Sequence, residues 1–264
     1  MFDCHVHSNF SGDSEMRAEH ACEKGIELGL EGIAFTDHLD YDFPYFDVSF
    51  MIDFEKYSVA MDKLKSFHEV NFKVLKGIEV GIQPHVLEDT DRIVSEYGFD
   101  FVIASTHVID RMDPYRGEFY VGRTKEESYT RYLEEIYHAV SNYKNYDVVG
   151  HIGYIRRYGE FDDRSLRHHD YSDLLDMILR QVIQDGKGIE INTSGYRTLG
   201  TPIPDYDIFQ RYRELGGEII TTGSDAHSPE HLAFNFVTTR ERLAEVGFHY
   251  TTHFEKRKPI FDKI

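Results

Sequence analysis

Short apolar runs alternate with longer amphipathic segments along the whole chain. Seven runs have the length and residue types of buried strands: Phe2–Val6, Gly32–Thr36, Phe72–Ile78, Phe101–Ala104, Asp147–Gly150, Gly188–Ile191 and Glu218–Thr222. The segments between them repeat apolar positions at helical spacing, which predicts helices at Met16–Leu28, Phe54–Phe67, Lys125–Ser141, Tyr171–Gln184 and Asp205–Leu215, with a weaker pattern over Glu88–Tyr97. Strands that alternate with helices are typical of βαβ units in a parallel sheet.

No internal repeat, low-complexity tract or linker divides the chain, so we predict a single domain over residues 1–264. Seven strand–helix units in one uninterrupted domain favour a closed α/β barrel over an open sheet. In such barrels the chemistry lies at the carboxyl ends of the strands.

Composition excludes several classes of protein. The 264 residues include 47 acidic and 29 basic side chains, a formal charge of −18. This excess of acid opposes binding to a nucleic-acid backbone, which requires clustered Lys and Arg. There is no apolar run of the ~20 residues needed to cross a bilayer, no signal-peptide pattern at the start, and too few cysteines (two) for a disulfide framework. We therefore expect a cytoplasmic protein without nucleic-acid or membrane partners; its oligomeric state stays open.

Polar side chains that bind metals follow six of the seven predicted strands. They lie in the segments His5-Val6-His7, Thr36-Asp37-His38, Gly77-Ile78-Glu79, Ser105-Thr106-His107, Gly150-His151 and Gly223-Ser224-Asp225-Ala226-His227. One histidine at a strand end is usually structural, and His-x-His alone is a weak signal. Metal-binding side chains at six strand ends are a stronger signal, because a buried pocket of carboxylates and imidazoles is costly unless cations pair with it.

The number of candidate ligands indicates more than one ion. Nine side chains qualify: His5, His7, Asp13, His38, Glu79, His107, His151, Asp225 and His227. A catalytic zinc-like ion takes about three protein ligands and keeps a position open, so nine ligands suit three ions better than one. Mixed imidazole and carboxylate donors fit Zn, Fe or Mn. Alternation along the first strand predicts that His5 and His7 face the barrel interior, while Cys4 and Val6 face the helices.

These motifs, in this order, resemble those of the PHP (polymerase and histidinol phosphatase) family from residue 3 to residue 227. The resemblance implies a distorted (β/α)₇ TIM-like barrel with a trinuclear metal centre at the carboxyl-terminal rim of the strands. It also implies the distribution of ligands. The first metal would take His5, His7, Glu79 and Asp225, the second Glu79, His107 and His151, and the third Asp13, His38 and His227.

Within the family, Asn192-Thr193-Ser194-Gly195 and the chain length resemble the stand-alone phosphatases of histidine biosynthesis. That likeness implies a phosphomonoesterase that hydrolyses L-histidinol phosphate, in which a hydroxide bridging two metals attacks phosphorus. Glu79 would bridge the metals, and Asp225 or His227 would assist proton transfer.

Basic residues near the rim would complete a phosphate site, because the planar fork of arginine suits phosphate oxygens. Arg156 and Arg157 follow His151 closely, and Arg197 follows Ser194. The resemblance favours Arg156 and Arg197, with Ser194, as the phosphate-binding set. Tyr115 and Arg116, on the long loop after His107, are interpreted as surface residues rather than as a lid.

Three alternatives remain. The same centre could act on a nucleotide 3′,5′-bisphosphate, phosphotyrosine or a sugar phosphate. The chain could be an accessory module like the PHP domains of DNA polymerases, although it has no polymerase segment and is acidic. It could also be a metal-loaded scaffold without activity, against which the complete ligand set argues.

Overall fold

The computed structural model describes residues 1–44, 50–68 and 70–264. Its strands are β1 (Phe2–Val6), β2 (Gly32–Phe35), β3 (His38–Leu39), β4 (Lys73–Gly81), β5 (Phe101–Ser105), β6 (Val148–Val149), β7 (Gly188–Asn192), β8 (Ile220–Gly223), β9 (Tyr250–Glu255) and β10 (Lys258–Lys263). A parallel sheet follows the order β1-β2-β4-β5-β6-β7-β8, with the short β3 also paired to β4. All seven predicted strands are confirmed.

The two edges of this sheet meet and nearly close a barrel. The Asp225 amide donates to the His5 carbonyl at 2.8 Å, and the His7 amide donates to the Ala226 carbonyl at 2.9 Å. Val6 and Ala226 form a parallel bridge. The predicted seven-stranded α/β barrel is therefore correct, and its closure brings the segments after β1 and β8 side by side.

The helices are α1 (Ala18–Glu27), α2 (Phe54–His68), α3 (Leu87–Glu96), α4 (Lys125–Asn142), α5 (Ser172–Gln184), α6 (Gly195–Thr198), α7 (Tyr206–Glu214) and α8 (Phe236–Val246). Their buried faces join the outward-facing strand residues in one large apolar core, as with Ile33, Ile78 and Val102. None of the helices in the described residues is long and apolar enough to span a membrane. The six predicted helices, including the weak one, are confirmed within a few residues at their ends.

The barrel interior holds a second, smaller apolar cluster beneath the strand ends. Its buried members are Phe2, Cys4, Ala34, Leu75, Phe101, Ile103, Val148 and Phe254. Phe254 comes from the β9–β10 hairpin, which the sequence analysis did not predict. At the turn of this hairpin, Arg257 Nε donates to Asp147 Oδ2 at 2.6 Å. The hairpin thus packs against the amino-terminal end of the barrel, opposite the candidate site.

The expected orientation of Cys4 is wrong. Cys4 belongs to the interior cluster and its thiol lies 3.7 Å from the Thr252 carbonyl, whereas Val6 faces the outer core. The pairing register of β1 with β2 shifts between Asp3 and Val6. Such an irregularity breaks strict alternation, so Cys4 and His5 both turn inward.

Candidate metal centre

The strand ends bring the nine predicted metal-binding side chains into one cluster, and all of them except His5 and His7 line a cavity of about 360 Å³. His5 lies in β1 and Glu79 in β4, which extends to Gly81 rather than ending at Ile78 as predicted. His38 is the first residue of β3, and the other six candidates lie in the segments that follow the strands: His7, Asp13, His107, His151, Asp225 and His227. Most are buried, and only Asp13 and His227 are appreciably exposed, with about a third of each side chain accessible.

Glu79 lies at the centre of the cluster. Its Oε1 is 2.9 Å from His151 Nε2 and 3.3 Å from His107 Nε2. Its Oε2 is 3.3 Å from His5 Nε2, 3.5 Å from His7 Nε2 and 3.2 Å from His38 Nδ1. One carboxylate therefore contacts five imidazoles, and its two oxygens face different halves of the cluster. This is the geometry of a residue that could bridge ions.

In the part of the chain that the structure describes, three groups of side chains offer ligand atoms that lie, within each group, no more than 4.8 Å apart. They are His5, His7 and Asp225; His38, Glu79 and His107; and His7, Asp13, His38 and His227. The trio of Glu79, His107 and His151 is equally close, since the two Nε2 atoms are 3.4 Å apart. These groups overlap with the expected division of the ligands, but His7 and His38 each belong to two groups, so the division stays a prediction.

Two carboxylates that the sequence analysis missed orient the imidazoles. Glu190, in β7, accepts a hydrogen bond from His5 Nδ1 at 2.5 Å, and Asp40 accepts one from His107 Nδ1 at 2.8 Å. The Nδ1 of His227 likewise donates to the Asp225 carbonyl at 3.1 Å. Because Nδ1 carries the proton in each case, the Nε2 lone pair faces the centre, as metal ligation requires. Glu190 could have been identified from the sequence, because it is an acidic residue at an inward-facing position of an otherwise apolar strand.

The electrostatics of the cluster favour bound positive charge. Burial opposes ionisation of Glu79, yet His5 and His107 hold the pKa of its carboxyl well below the usual range. Burial also opposes protonation of the imidazoles, but Glu190 and Glu79 raise the pKa of His5 well above its ordinary value. Asp40 and Glu79 overcome burial to raise the pKa of His107 to about 10. A field that draws protons onto buried imidazoles also draws metal cations to the same place.

The donor set fits divalent metals. His5 Nε2 and His7 Nε2 are 3.0 Å apart, and at most one proton can lie between two such nitrogens. The facing lone pairs need a cation, and imidazole with carboxylate donors suits Zn, Fe and Mn. Neither Cys4 nor Cys22 is among the grouped ligand atoms, so the described centre is not a thiolate-rich structural site.

The arginine that lines the cavity is Arg157, not the expected Arg156. The guanidinium of Arg156 is buried outside the cavity and pairs with Asp205, Nη1 to Oδ2 at 3.2 Å. Arg157 Nη2 instead donates to Asp225 Oδ2 at 2.6 Å and to the Ser194 hydroxyl. Arg156 is therefore held away from the cavity by Asp205, and Arg157 is the arginine that lines it.

Arg197 and Ser194 support the cavity from behind rather than lining it. Arg197 donates to the carbonyls of Ser224 and Asp225 at 3.0 and 3.2 Å. These bonds hold the loop in which Asp225 adopts a positive φ of 54°. Tyr115, which we expected to be a surface residue, lines the cavity mouth.

A parallel α/β barrel with clustered imidazoles and carboxylates at the carboxyl ends of its strands defines a metalloprotein that uses divalent ions. The PHP domain family matches residues 3–194, and the chain belongs to this family.

Relatives of known sequence match over nearly the whole chain. A histidinol-phosphatase of Lactococcus lactis subsp. lactis is 33% identical over 97% of this chain and 95% of its own length. A probable histidinol-phosphatase of Clostridium acetobutylicum is 32% identical over 97% and 98%.

A solved structure agrees closely in fold. The crystal structure of histidinol phosphate phosphatase from Lactococcus lactis, complexed with Zn, L-histidinol and phosphate, superposes with a TM-score of 0.90. It is 32% identical and covers 99% of this chain and 98% of its own. A putative histidinol phosphatase from Listeria monocytogenes shares the fold at a TM-score of 0.78 and 19% identity, over 90% of this chain and 99% of its own.

Proposed function

We propose that this protein is a metal-dependent phosphomonoesterase that hydrolyses L-histidinol phosphate to L-histidinol and phosphate, as a cytoplasmic step of histidine biosynthesis. The observation that carries the proposal is the convergence of nine imidazoles and carboxylates in one cluster, seven of which line a single cavity. It is supported by the relative of 32% identity that was crystallised with Zn, L-histidinol and phosphate.

Three divalent ions would occupy the centre. His5, His7, Glu79 and Asp225 would hold the first, Glu79, His107 and His151 the second, and Asp13, His38 and His227 the third. Asp13 fits the last set because its Oδ2 is 3.1 Å from His227 Nε2 and 3.4 Å from His38 Nε2. Bound divalent ions would neutralise the phosphoryl oxygens and acidify an attacking water. Zn is our first choice, with Fe or Mn as alternatives.

Arg157 would bind the phosphoryl group opposite the ions. Its guanidinium lies against the Tyr154 ring, with Cζ 5.2 Å from the centroid, and is held by Asp225 and Ser194. A guanidinium positioned from two sides loses little entropy on binding and presents a planar fork to phosphate oxygens. Arg197 would act through the backbone that positions Asp225.

Asp225 or His227 would assist proton transfer as the alkoxide departs. Both nitrogens of His227 have partners, since Nδ1 donates to a backbone carbonyl and Nε2 faces Asp13. The Asp225 carboxylate lines the cavity, and its Oδ2 lies beside Arg157. Burial opposes ionisation of Asp225, yet Arg157 and His5 hold the pKa of its carboxyl well below the usual range. Asp225 would therefore act as an ionised acceptor, while Glu79 holds the centre together.

A panel of phosphate esters tests the function. Protein purified without chelator would be analysed for metal content and then assayed with L-histidinol phosphate, a nucleotide 3′,5′-bisphosphate, phosphotyrosine and a sugar phosphate. We expect three ions per chain and the highest kcat/KM with L-histidinol phosphate. Equal or better hydrolysis of the bisphosphate would overturn the substrate assignment.

A matched pair of histidine variants tests whether the centre carries the activity. His107→Ala removes an imidazole from the cluster, whereas His85→Ala removes a partly exposed imidazole that pairs with Asp42 outside the cavity. We expect His107→Ala to lose both bound metal and turnover, and His85→Ala to keep both. Full activity in His107→Ala would contradict the proposed mechanism.

A further inference from the structure

One carboxylate in the cavity has no part in the metal cluster. Five line the described cavity, and four of them, Asp13, Asp40, Glu79 and Asp225, lie within 3.5 Å of an imidazole nitrogen. The fifth is Asp113, on the loop after β5. It is only 2% exposed, and its Oδ1 accepts the Tyr115 amide at 2.9 Å. One amide bond leaves most of the acceptor capacity of this carboxylate for a ligand.

Tyrosine rings form a row from the metal cluster to the cavity mouth. The Tyr154 ring centroid is 5.3 Å from those of His107 and His151. Tyr158 follows at 5.3 Å from Tyr154, and Tyr115 at 5.4 Å from Tyr158, each edge to face. Tyr154 is buried while Tyr115 is 64% exposed. The row therefore gives the cavity an aromatic wall along its whole depth.

The two ends of the cavity differ in charge. Arg157 and the proposed cations lie at the floor, where a phosphate would bind. Burial of a carboxylate is costly unless a positive group pairs with it. Burial raises the pKa of Asp113 above its ordinary value, and the charges of His107 and Arg116 offset this only in part. A cationic ligand group beside this residue would remove that cost. Aromatic faces add attraction for the same cation and stack on planar rings.

We propose that Asp113 is a specificity-determining residue that binds the ammonium group of the alcohol portion of the substrate, while Tyr115, Tyr154 and Tyr158 cover its planar ring. The inference rests on the proposed function, because L-histidinol phosphate carries an amine that is protonated at neutral pH. The site would thus reject phosphomonoesters whose alcohol portion lacks a positive charge. Asp113 makes no contact with the reacting atoms in this scheme and acts on selection only.

The test compares a cationic with an uncharged alcohol portion. Wild type, Asp113→Asn and Asp162→Asn would be assayed with L-histidinol phosphate and with 4-nitrophenyl phosphate. Asparagine keeps an oxygen that can accept the Tyr115 amide, so the turn at Asp113 is preserved. Asp162→Asn is the matched control, because it removes the same charge from an exposed position outside the cavity.

The ratio of kcat/KM for L-histidinol phosphate to that for 4-nitrophenyl phosphate is the readout. In Asp113→Asn we expect it to fall roughly 10- to 100-fold, as for loss of a charge-assisted hydrogen bond. The fall should appear in KM, with inhibition by L-histidinol weakened more than inhibition by inorganic phosphate. Asp162→Asn should keep the wild-type ratio.

Two outcomes would overturn the inference and remain distinct from failure of the proposed function. If wild type prefers L-histidinol phosphate and Asp113→Asn keeps that preference, Asp113 does not select the substrate. If Asp113→Asn loses both activities in proportion, the residue supports the metal centre instead. A wild-type enzyme that hydrolyses 4-nitrophenyl phosphate but not L-histidinol phosphate would overturn the proposed function itself.

Discussion

Replacement of Glu190 by glutamine tests how the protein prepares its imidazoles for metal. Glu190 is fully buried and accepts from three donors: His5 Nδ1 at 2.5 Å, the His151 amide at 2.8 Å and Asn192 Nδ2 at 3.2 Å. Both side-chain oxygens at position 190 must therefore accept hydrogen bonds, which a carboxylate can do. In Glu190→Gln the amide nitrogen is a donor and must face another donor in either orientation.

If the amide nitrogen faces His5, the imidazole has to move its proton to Nε2, which removes the lone pair from the centre. If it faces the His151 amide, a buried donor is left unpaired at a cost of about 1–3 kcal/mol. Loss of such an orienting carboxylate lowers metal affinity about 10- to 100-fold, equivalent to about 1.4–2.8 kcal/mol. We therefore expect Glu190→Gln to bind zinc more weakly by this factor and to need added zinc for turnover.

Zinc affinity would be measured by competition with a chromophoric chelator, and turnover would be measured across a zinc titration. Glu135→Gln is the control, because Glu135 is a buried carboxylate on α4 that pairs with Arg131 and touches no imidazole of the cluster. A Glu190→Gln protein with wild-type zinc affinity would refute the orienting role of this residue.

Three further predictions concern Arg156 and Arg157, the ion pair of Asp176 with Arg211, and the bound ions. Arg157→Ala should lower kcat/KM with little change in the unfolding temperature of the zinc-loaded protein, because the proposed ions and His5 still face Asp225. Arg156→Ala should lower the unfolding temperature, because it leaves Asp205 buried without its cation at a cost of about 3–5 kcal/mol; equal destabilisation in both variants would contradict this. Hydrogen bonds from Arg211 hold the pKa of Asp176 below its usual range, so this pair stabilises the fold above the unfolded-state pKa and less as pH falls through the folded-state value. Urea denaturation should show Asp176→Asn less stable than wild type by about 1 kcal/mol or less, with the gap closing below about pH 4; a gap that stays constant would be evidence against the pair. Chelation should lower the unfolding temperature and turnover together, and zinc should restore both, because ions that bind only the folded chain stabilise it.

The barrel and the positions of its metal-binding side chains could be predicted because both depend on local pattern. Buried strands leave apolar runs, and closure of a parallel barrel brings all their carboxyl ends to one rim. A residue at the end of a run, such as His151, therefore needs no knowledge of loop structure to be placed. Glu79 lies at the rim that the same local pattern predicts, although β4 extends beyond it.

Residues beyond the strands could not be placed in this way. After β6 the chain enters a short 3₁₀ turn at Tyr154–Arg157, where neighbouring side chains point in different directions. The pattern of the sequence does not distinguish Arg156 from Arg157 in such a turn, and only the structure shows that Arg157 lines the cavity. The orienting role of Asp40 was missed for a related reason, since its contact with His107 joins residues 67 positions apart.

The glycines of the strand-end motifs explain why these short motifs are specific for one arrangement of the metal centre. A Cβ at Gly223 would overlap the side chains of His5 and Glu190, and one at Gly150 would overlap the Ser105 hydroxyl. That hydroxyl donates to Glu79 Oε1 at 2.6 Å. Each glycine thus leaves room for a group that orients or holds a neighbouring ligand on another strand. The motifs therefore specify both the ligands and the empty volume beside them, and this requirement cannot be met by chance placement of histidines at strand ends.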